Sequence, residues 1–279
     1  MASRVLSPGM RLRERMTGLP RTLVMALAGA AAATLVAGGF GLLDPMALLI
    51  TLGGGLGITT FTFSRARLVG AWEMVKTALA AVDDREEIVA TFKRLARVHR
   101  VEGVPALERA AEASPDPFVR TAIGYAVEGR DAEELLALLG GEVRRHDADG
   151  ESARQVILML GKLFPAFGLI GTLIGLALLL RNLGTATSLA AIGPGLGIAV
   201  TTTLYGAVLA NVVVLPLATK LQAYLDRRHT AMQMIIDGTL MVQRKEYPTR
   251  IERELRGAFA LPATGERPAA PLALADRAA

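Results

Sequence analysis

From Thr22 to Leu43 the chain runs without a single charged residue. A helix of that length reaches roughly 33 Å at about 1.5 Å per residue, enough to cross a hydrocarbon core of about 30 Å. Asp44-Pro45 then breaks the chain, and a second, glycine-rich apolar run extends from Met46 to Phe63. Its Leu52-Gly53-Gly54-Gly55 stretch suits close packing against other helices in lipid. A third run, Leu163 to Leu180, begins near Val156 and so takes in Lys162 near one end, where a long cationic side chain can snorkel. The fourth run extends from about Leu189 to Leu217. A cleaved signal peptide is the alternative for the first run. That run is too long for an h-region, and another span follows almost at once.

Arginine and lysine set the orientation. Arg4, Arg11, Arg13, Arg15 and Arg21 precede the first span, and Arg65 and Arg67 follow the second. Arg154 precedes the third, and Lys220, Arg227 and Arg228 follow the fourth. The other two connections carry only Asp44 and Arg181. The positive-inside rule therefore puts both termini and the long middle segment in the cytoplasm. The expected fold class is all-α: an integral membrane protein with four transmembrane helices and a helical cytoplasmic domain between the second and third spans. The expected organisation is a basic N-terminus (1–21), spans one and two (22–63), the cytoplasmic domain (64–155), spans three and four (156–218), C-terminal cytoplasmic helices (219–261) and a disordered tail (262–279), rich in alanine and proline.

The cytoplasmic domain reads as a string of short helices. Leu68, Trp72, Val75 and Leu79 recur at helical spacing as one apolar stripe. Asp83 and Asp84 stand where a second helix would be capped, with Glu86 and Glu87 in its first turn and Lys93, Arg94, Arg97 and Arg100 towards its end, an order that complements the helix dipole. Gly103 ends that helix and Pro105 starts the next. Ser114-Pro115-Asp116-Pro117 reads as a turn. Asp131 with Glu134 makes a capping box for a helix through Leu138. Lys220 to Arg244 continues the fourth span as a helix. Most charges in these segments are the solvated faces of helices.

Several chemistries are excluded or left without residues to perform them. Cysteine is absent, so disulfides, thiol chemistry and cysteine metal sites are ruled out. His99, His146 and His229 lie far apart, without metal-ligand spacing. No nucleophile–base set or phosphate loop occurs, and the expectation is a protein that is not an enzyme and holds no cofactor. The net charge of +5 is explained by membrane orientation rather than by nucleic acid.

Ionisable groups inside a membrane are functional candidates by default. Here the spans hold no Asp or Glu beyond the boundary residue Asp44, so the chain has no carboxylate relay of its own. The last two spans hold small polar residues, glycines and prolines instead. Gly168, Gly171 and Gly175 lie near one face with Thr172 beside them, and Thr201, Thr202 and Thr203 are consecutive. A threonine in a membrane helix most often bonds its own backbone; several on neighbouring helices can also line a polar path, where hydroxyl oxygens order water or replace part of a cation's hydration shell. Pro165 and Pro216 each remove a backbone hydrogen bond within a span, which makes either a structural kink or a functional hinge.

The run Phe164-Pro165-Ala166-Phe167-Gly168-Leu169-Ile170-Gly171-Thr172-Leu173-Ile174-Gly175 resembles the third-span signature of the MotA/PomA flagellar stator subunits. Ala191-Ile192-Gly193-Pro194-Gly195, Thr202-Thr203-Leu204-Tyr205-Gly206-Ala207, Ala210-Asn211 and Leu215-Pro216-Leu217-Ala218 resemble the fourth. Asp44-Pro45 before Leu52-Gly53-Gly54, and Asp237-Gly238 with Pro248, also match. TolQ and ExbB relatives share the last two spans but have one span before the large loop, where this chain has two. The resemblance implies a homo-oligomer, a ring of five around a MotB-like single-span partner that supplies the channel aspartate, in the bacterial inner membrane, acting on the rotor protein FliG. It implies that Pro165 and Pro216 lie at the channel's cytoplasmic side and that Thr172, Thr202 and Thr203 serve ion passage. Arg100 and Glu108 match a charged pair facing the rotor, and Glu142 matches a further charged position. The transported ion is a proton or sodium. Thr172 stands where proton-type relatives often have alanine and sodium-type ones threonine, which leans to sodium. The readings left open beside a flagellar stator are an ion-driven subunit of the same superfamily serving gliding, envelope energy transduction or phage defence, and a membrane scaffold with no ion path. Nothing is carried over past residue 258.

Overall fold

The computed structural model describes residues 44–183 and 193–259. The expected first span (22–43), the basic N-terminus, the start of the fourth span and the tail lie outside the described residues. Among those described the structure is all-helical. α1 (Pro45–Leu48) passes through a π-helical turn (Leu49–Gly53) into α2 (Gly54–Thr62). There follow α3 (Arg65–Ala80), α4 (Arg85–Glu102), α5 (Val104–Glu112), α6 (Pro117–Val127) and α7 (Ala132–Leu183). α8 (Gly193–Val208) passes through a second π-helical segment (Leu209–Val214) into α9 (Leu215–Gln243), and α10 (Pro248–Ala258) closes the series. Among the described residues, three stretches are long and apolar enough to cross a membrane: Pro45–Thr62, Ala132–Arg181 and Gly193–Gln243.

The described residues divide into two compact units, one of 44–63 and 158–216, the other of 64–157 and 217–259. In the second unit, helix ends follow the local chemistry. Asp83 accepts from the Arg85 N–H at 3.3 Å, while Asp84 makes no side-chain cap. Gly103, at φ 83°, turns the chain from α4 into α5, a conformation glycine adopts without steric cost. Asp116 caps α6 by accepting from Phe118 N–H at 2.8 Å, ahead of Pro117 at the first helical position. The core is built from Val89, Phe92 and Leu95 of α4, Val119 and Ile123 of α6, Leu135 and Leu139 of α7, Met234 and Ile235 of α9, and Ile251 and Leu255 of α10. Gly238 lets the Phe92 ring against α9, where a Cβ would lie 2.7 Å from it. Burial also raises the carboxyl pKa of the neighbouring Asp237.

Two expectations change. The helix opened by Asp131, whose carboxylate accepts from Glu134 N–H at 2.7 Å, does not end at Leu138 but runs unbroken to Leu183. Gly140, Gly141 and Gly150 sit inside it with no proline among them. Gly150 faces Leu225, whose Cδ2 would be 2.4 Å from an added Cβ, so this glycine marks close packing rather than a loop. Glu134 also turns to Arg130 instead of back to the cap, so only half of the capping box forms. On α3 the buried face is Ala71, Val75 and Ala78, while Trp72 and Leu79 point outward. The apolar stripe is therefore only half buried within the chain.

Candidate functional site

Within the first unit, α7 and α8 run antiparallel at very short range. A Cβ on Gly175 would lie 2.5 Å from the Gly195 carbonyl oxygen, and one on Gly206 would lie 2.6 Å from the Phe164 carbonyl oxygen. Between these points Gly171 faces Thr202, whose Cβ would be 2.4 Å from its own. The absence of side chains lets the two backbones touch, the usual device where lipid offers no hydrophobic drive for association. α2 joins through Gly54 and Gly55, which face the rings of Phe167 and Phe164. The glycine run of the second apolar stretch is thus a packing surface, as its composition suggests.

The crossing fixes where the hydroxyls go. Thr202 is fully buried between the helices, against Gly171. Thr172 and Thr203 each follow a crossing residue by one position, which is about 100° around the helix. Because the helices are antiparallel, both advance towards the same side of the pair. Thr203 is exposed and Thr172 half-buried. Pro165, two turns before Thr172 and so on the same face of α7, is exposed as well. Each hydroxyl donates to its own helix: Thr172 to Leu169 at 2.6 Å, Thr202 to Ile198 at 2.8 Å and Thr203 to Ala199 at 3.2 Å.

Pro216, also exposed, lies two residues past the π-helical segment. A proline ring collides with the carbonyl four residues earlier in an α-helix. The wider π turn immediately before it gives that carbonyl, on Val212, room to tilt away. Asn211, inside the π-helical segment, donates to the Ala207 carbonyl at 2.9 Å.

Two contributors were not legible as site residues. Thr51 is fully buried, donates to Ala47 at 2.9 Å and lies 3.5 Å from the Thr202 carbonyl oxygen. Tyr205 accepts from the Asp44 N–H at 3.1 Å, tying the start of α1 to α8, while the Asp44 carboxylate caps α1. The position of Thr51 beside the glycine run is the only sequence signal for the first. Tyr205 carried none beyond its place in a motif.

In the second unit, Arg100 ends α4 and Glu108 sits on α5, on either side of the Gly103 corner, both exposed. Glu142 lies on α7 and pairs with Arg145. Asp116 and Arg228 form a two-pronged ion pair at 2.7 and 2.9 Å, with both side chains more than four-fifths buried. Burial disfavours the Asp116 carboxylate, but the Arg228 hydrogen bonds and charge outweigh it and hold the group below the ordinary carboxyl range. The pair borders a cavity of about 630 Å³ lined also by Asp84, Glu87, His146 and Arg227. Burial, then the Arg228 charge, lowers the His146 pKa. No group of His, Asp and Glu able to hold a metal ion occurs among the described residues.

A model of the MotA/TolQ/ExbB proton channel family matches residues 110–234. Chemotaxis protein PomA of Vibrio alginolyticus is 31% identical over 214 residues, covering 76% of this chain and 83% of that protein. The chain belongs to the MotA/TolQ/ExbB proton channel family. Motility protein A of Aquifex aeolicus is 33% identical over 210 residues, 74% of this chain and 82% of that one. The solved structure of C. jejuni MotAB superposes with a TM-score of 0.75 at 19% identity, covering 87% of this chain and 94% of the other. The all-helical fold is thus that of the MotA structures, and this family member is a membrane protein of a channel family rather than of an enzyme family.

Proposed function

We propose that the chain is a stator subunit of the bacterial flagellar motor, forming with a MotB-like partner an ion channel that couples ion flow to torque. It sits in the inner membrane with four spans and both termini in the cytoplasm. It assembles as a ring, five subunits around the partner, and acts on the rotor protein FliG. The observation that carries this reading is the α7/α8 crossing: glycines bring the backbones together, Thr172 and Thr203 emerge on one side, and the apolar stretches of the two helices, 156–183 and 193–208, hold no acid. A proton or a sodium ion crossing such a path needs a titrating or ligating carboxylate, and a partner's transmembrane aspartate supplies it. Each charge falling through ~100 mV releases about 2.3 kcal/mol, several RT, enough to bias a conformational step. Thr202 holds the crossing behind the two outward threonines, and Pro165 and Pro216 shape the helices at the ends of the path. Arg100, Glu108 and Glu142 provide charges for the rotor.

Reconstitution tests the reading. Proteoliposomes holding the chain with its partner should pass ions, those holding either alone should not, and replacing the partner's aspartate by asparagine should abolish the flux. Thr203→Val and Thr172→Val should lower flux while leaving ring assembly intact. Cation flux through the chain alone, unchanged by adding the partner, would overturn it. Swimming speed at fixed pH and varied sodium distinguishes the two ions; full speed without sodium assigns the proton.

A further inference from the structure

The C-terminus of α9 ends in a left-handed cap made by a residue other than glycine. Lys245 has φ 54°, its N–H donates to the Val242 carbonyl at 2.9 Å, and the Glu246 N–H donates to the Met241 carbonyl at 3.0 Å. This paired arrangement closes a helix end with the chain reversing at the left-handed residue. The last turn of α4 is fastened to that cap. His99, nearly fully buried, donates from Nδ1 to the Val242 carbonyl at 3.0 Å. Arg100 donates from Nη1 to the Lys245 carbonyl, and its guanidinium lies 3.9 Å above the centre of the Tyr247 ring.

A guanidinium carries five N–H donors in one plane. Stacking on Tyr247 occupies its face and the Lys245 carbonyl takes one donor. Among the described residues no carboxylate pairs with the exposed Arg100, so its remaining donors are left without an acidic partner while the stack and the Lys245 bond hold the plane. Tyr247 is itself 64% exposed, so burying its ring in the core does not account for its position. An exposed arginine otherwise samples many rotamers and loses that freedom when it meets a partner carboxylate. An arginine already held in plane binds a carboxylate two-pronged with less to lose.

We propose that Tyr247 is a positioning residue for rotor engagement: it holds Arg100 in the plane in which that side chain meets an acidic group on the rotor. The inference rests on the proposed reading of Arg100 as rotor-facing. Stacking of a cation on an exposed ring is worth a factor of about two to five in the population of the held conformer, and engagement scales with that population.

The test uses the full chain with its MotB-like partner in motile cells, with membrane levels matched by immunoblot. Stator occupancy at the motor is counted with a fluorescent tag, together with torque under load. Tyr247→Phe keeps the ring face and should match the parent. Tyr247→Leu keeps apolar bulk without the ring's charge distribution and should lower occupancy about two- to fivefold. In an Arg100→Ala background Tyr247→Leu should have no further effect. If Tyr247→Leu matches the parent while Arg100→Ala is impaired, the positioning role is wrong and the rotor-facing reading stands. If Tyr247→Leu lowers occupancy equally with and without Arg100, Tyr247 acts by another route and the proposal fails. If Arg100→Ala itself leaves occupancy and torque unchanged, the rotor-facing reading falls and the proposal falls with it.

Discussion

Gly175→Ala adds one methyl group where α7 and α8 touch. That methyl would sit 2.5 Å from the Gly195 carbonyl oxygen and 2.7 Å from the Ala199 nitrogen, while ordinary contact begins near 3.4 Å. Both obstacles are backbone, so no side chain can rotate away; the helices must part by about 0.9 Å (3.4 − 2.5) at that level. A gap of 0.5–1 Å forfeits roughly a quarter to a half of each dispersion well along the seam, and overpacking of this kind costs about 1–3 kcal/mol. Alanine returns part of this, about 0.5–1 kcal/mol, through its better helix propensity. The net loss is about 1–2 kcal/mol, a fall of roughly 2–8 °C in the unfolding midpoint of the purified complex at fixed scan rate. Gly197, on the same helix as Gly195, provides the control, because a Cβ there meets nothing within 4 Å. Gly197→Ala should leave the midpoint unchanged or raise it. A Gly175→Ala midpoint at or above the parent's, or equal shifts for the two variants, would refute the reasoning that the glycines exist for backbone contact.

Removing one partner of the buried Asp116–Arg228 pair, by Asp116→Asn or Arg228→Met, should destabilise the protein by about 3–5 kcal/mol, with the double variant recovering much of the loss in a thermal-unfolding cycle. Strictly additive effects would show that the two groups do not act as a pair. Because folding holds the Asp116 carboxyl below its ordinary pKa, its stabilisation is complete above the unfolded value of about 4 and is lost as pH falls through the depressed folded value. The acid limb of a stability–pH curve should therefore flatten in Asp116→Asn. Lys245→Gly relieves a left-handed conformation that costs a side chain about 1 kcal/mol, and should raise the unfolding midpoint by a few degrees.

Helix ends were the most legible part of the fold, because their causes are local. Gly103, Pro105 and the Asp116-Pro117 pair each act on the backbone within a residue or two, and each boundary falls beside its signal. The unbroken length of α7 was not legible: the helix was expected only through Leu138, and no local signal announces that Gly150 packs against Leu225 of α9. The π-helical segments carry no composition of their own, and only Pro216 hinted at a disturbed turn. In the candidate site the threonines were visible as a cluster, but their division into a buried Thr202 and outward Thr172 and Thr203 depends on which face of α7 meets α8. That is a property of the glycine seam. The buried Thr51 was missed because it belongs to a different apolar stretch, brought alongside only by folding. Trp72 and Leu79 were read only as part of an apolar stripe, because periodicity marks an apolar face without saying what covers it.

The way the threonines bond has a consequence for what such a surface can attract. Thr51, Thr59, Thr60, Thr62, Thr172, Thr201, Thr202 and Thr203 all donate their hydroxyl proton to a carbonyl of their own helix. With its proton engaged, an oxygen that reaches the surface, as those of Thr172 and Thr203 do, has only lone pairs left to offer outward. A wall of such groups can coordinate a metal cation or accept from a protonated water, and it has no donor to hand to chloride or phosphate. In the proposed channel, a preference for positive charge would then follow from the backbone geometry of the helices, with no negative side chain in their apolar stretches.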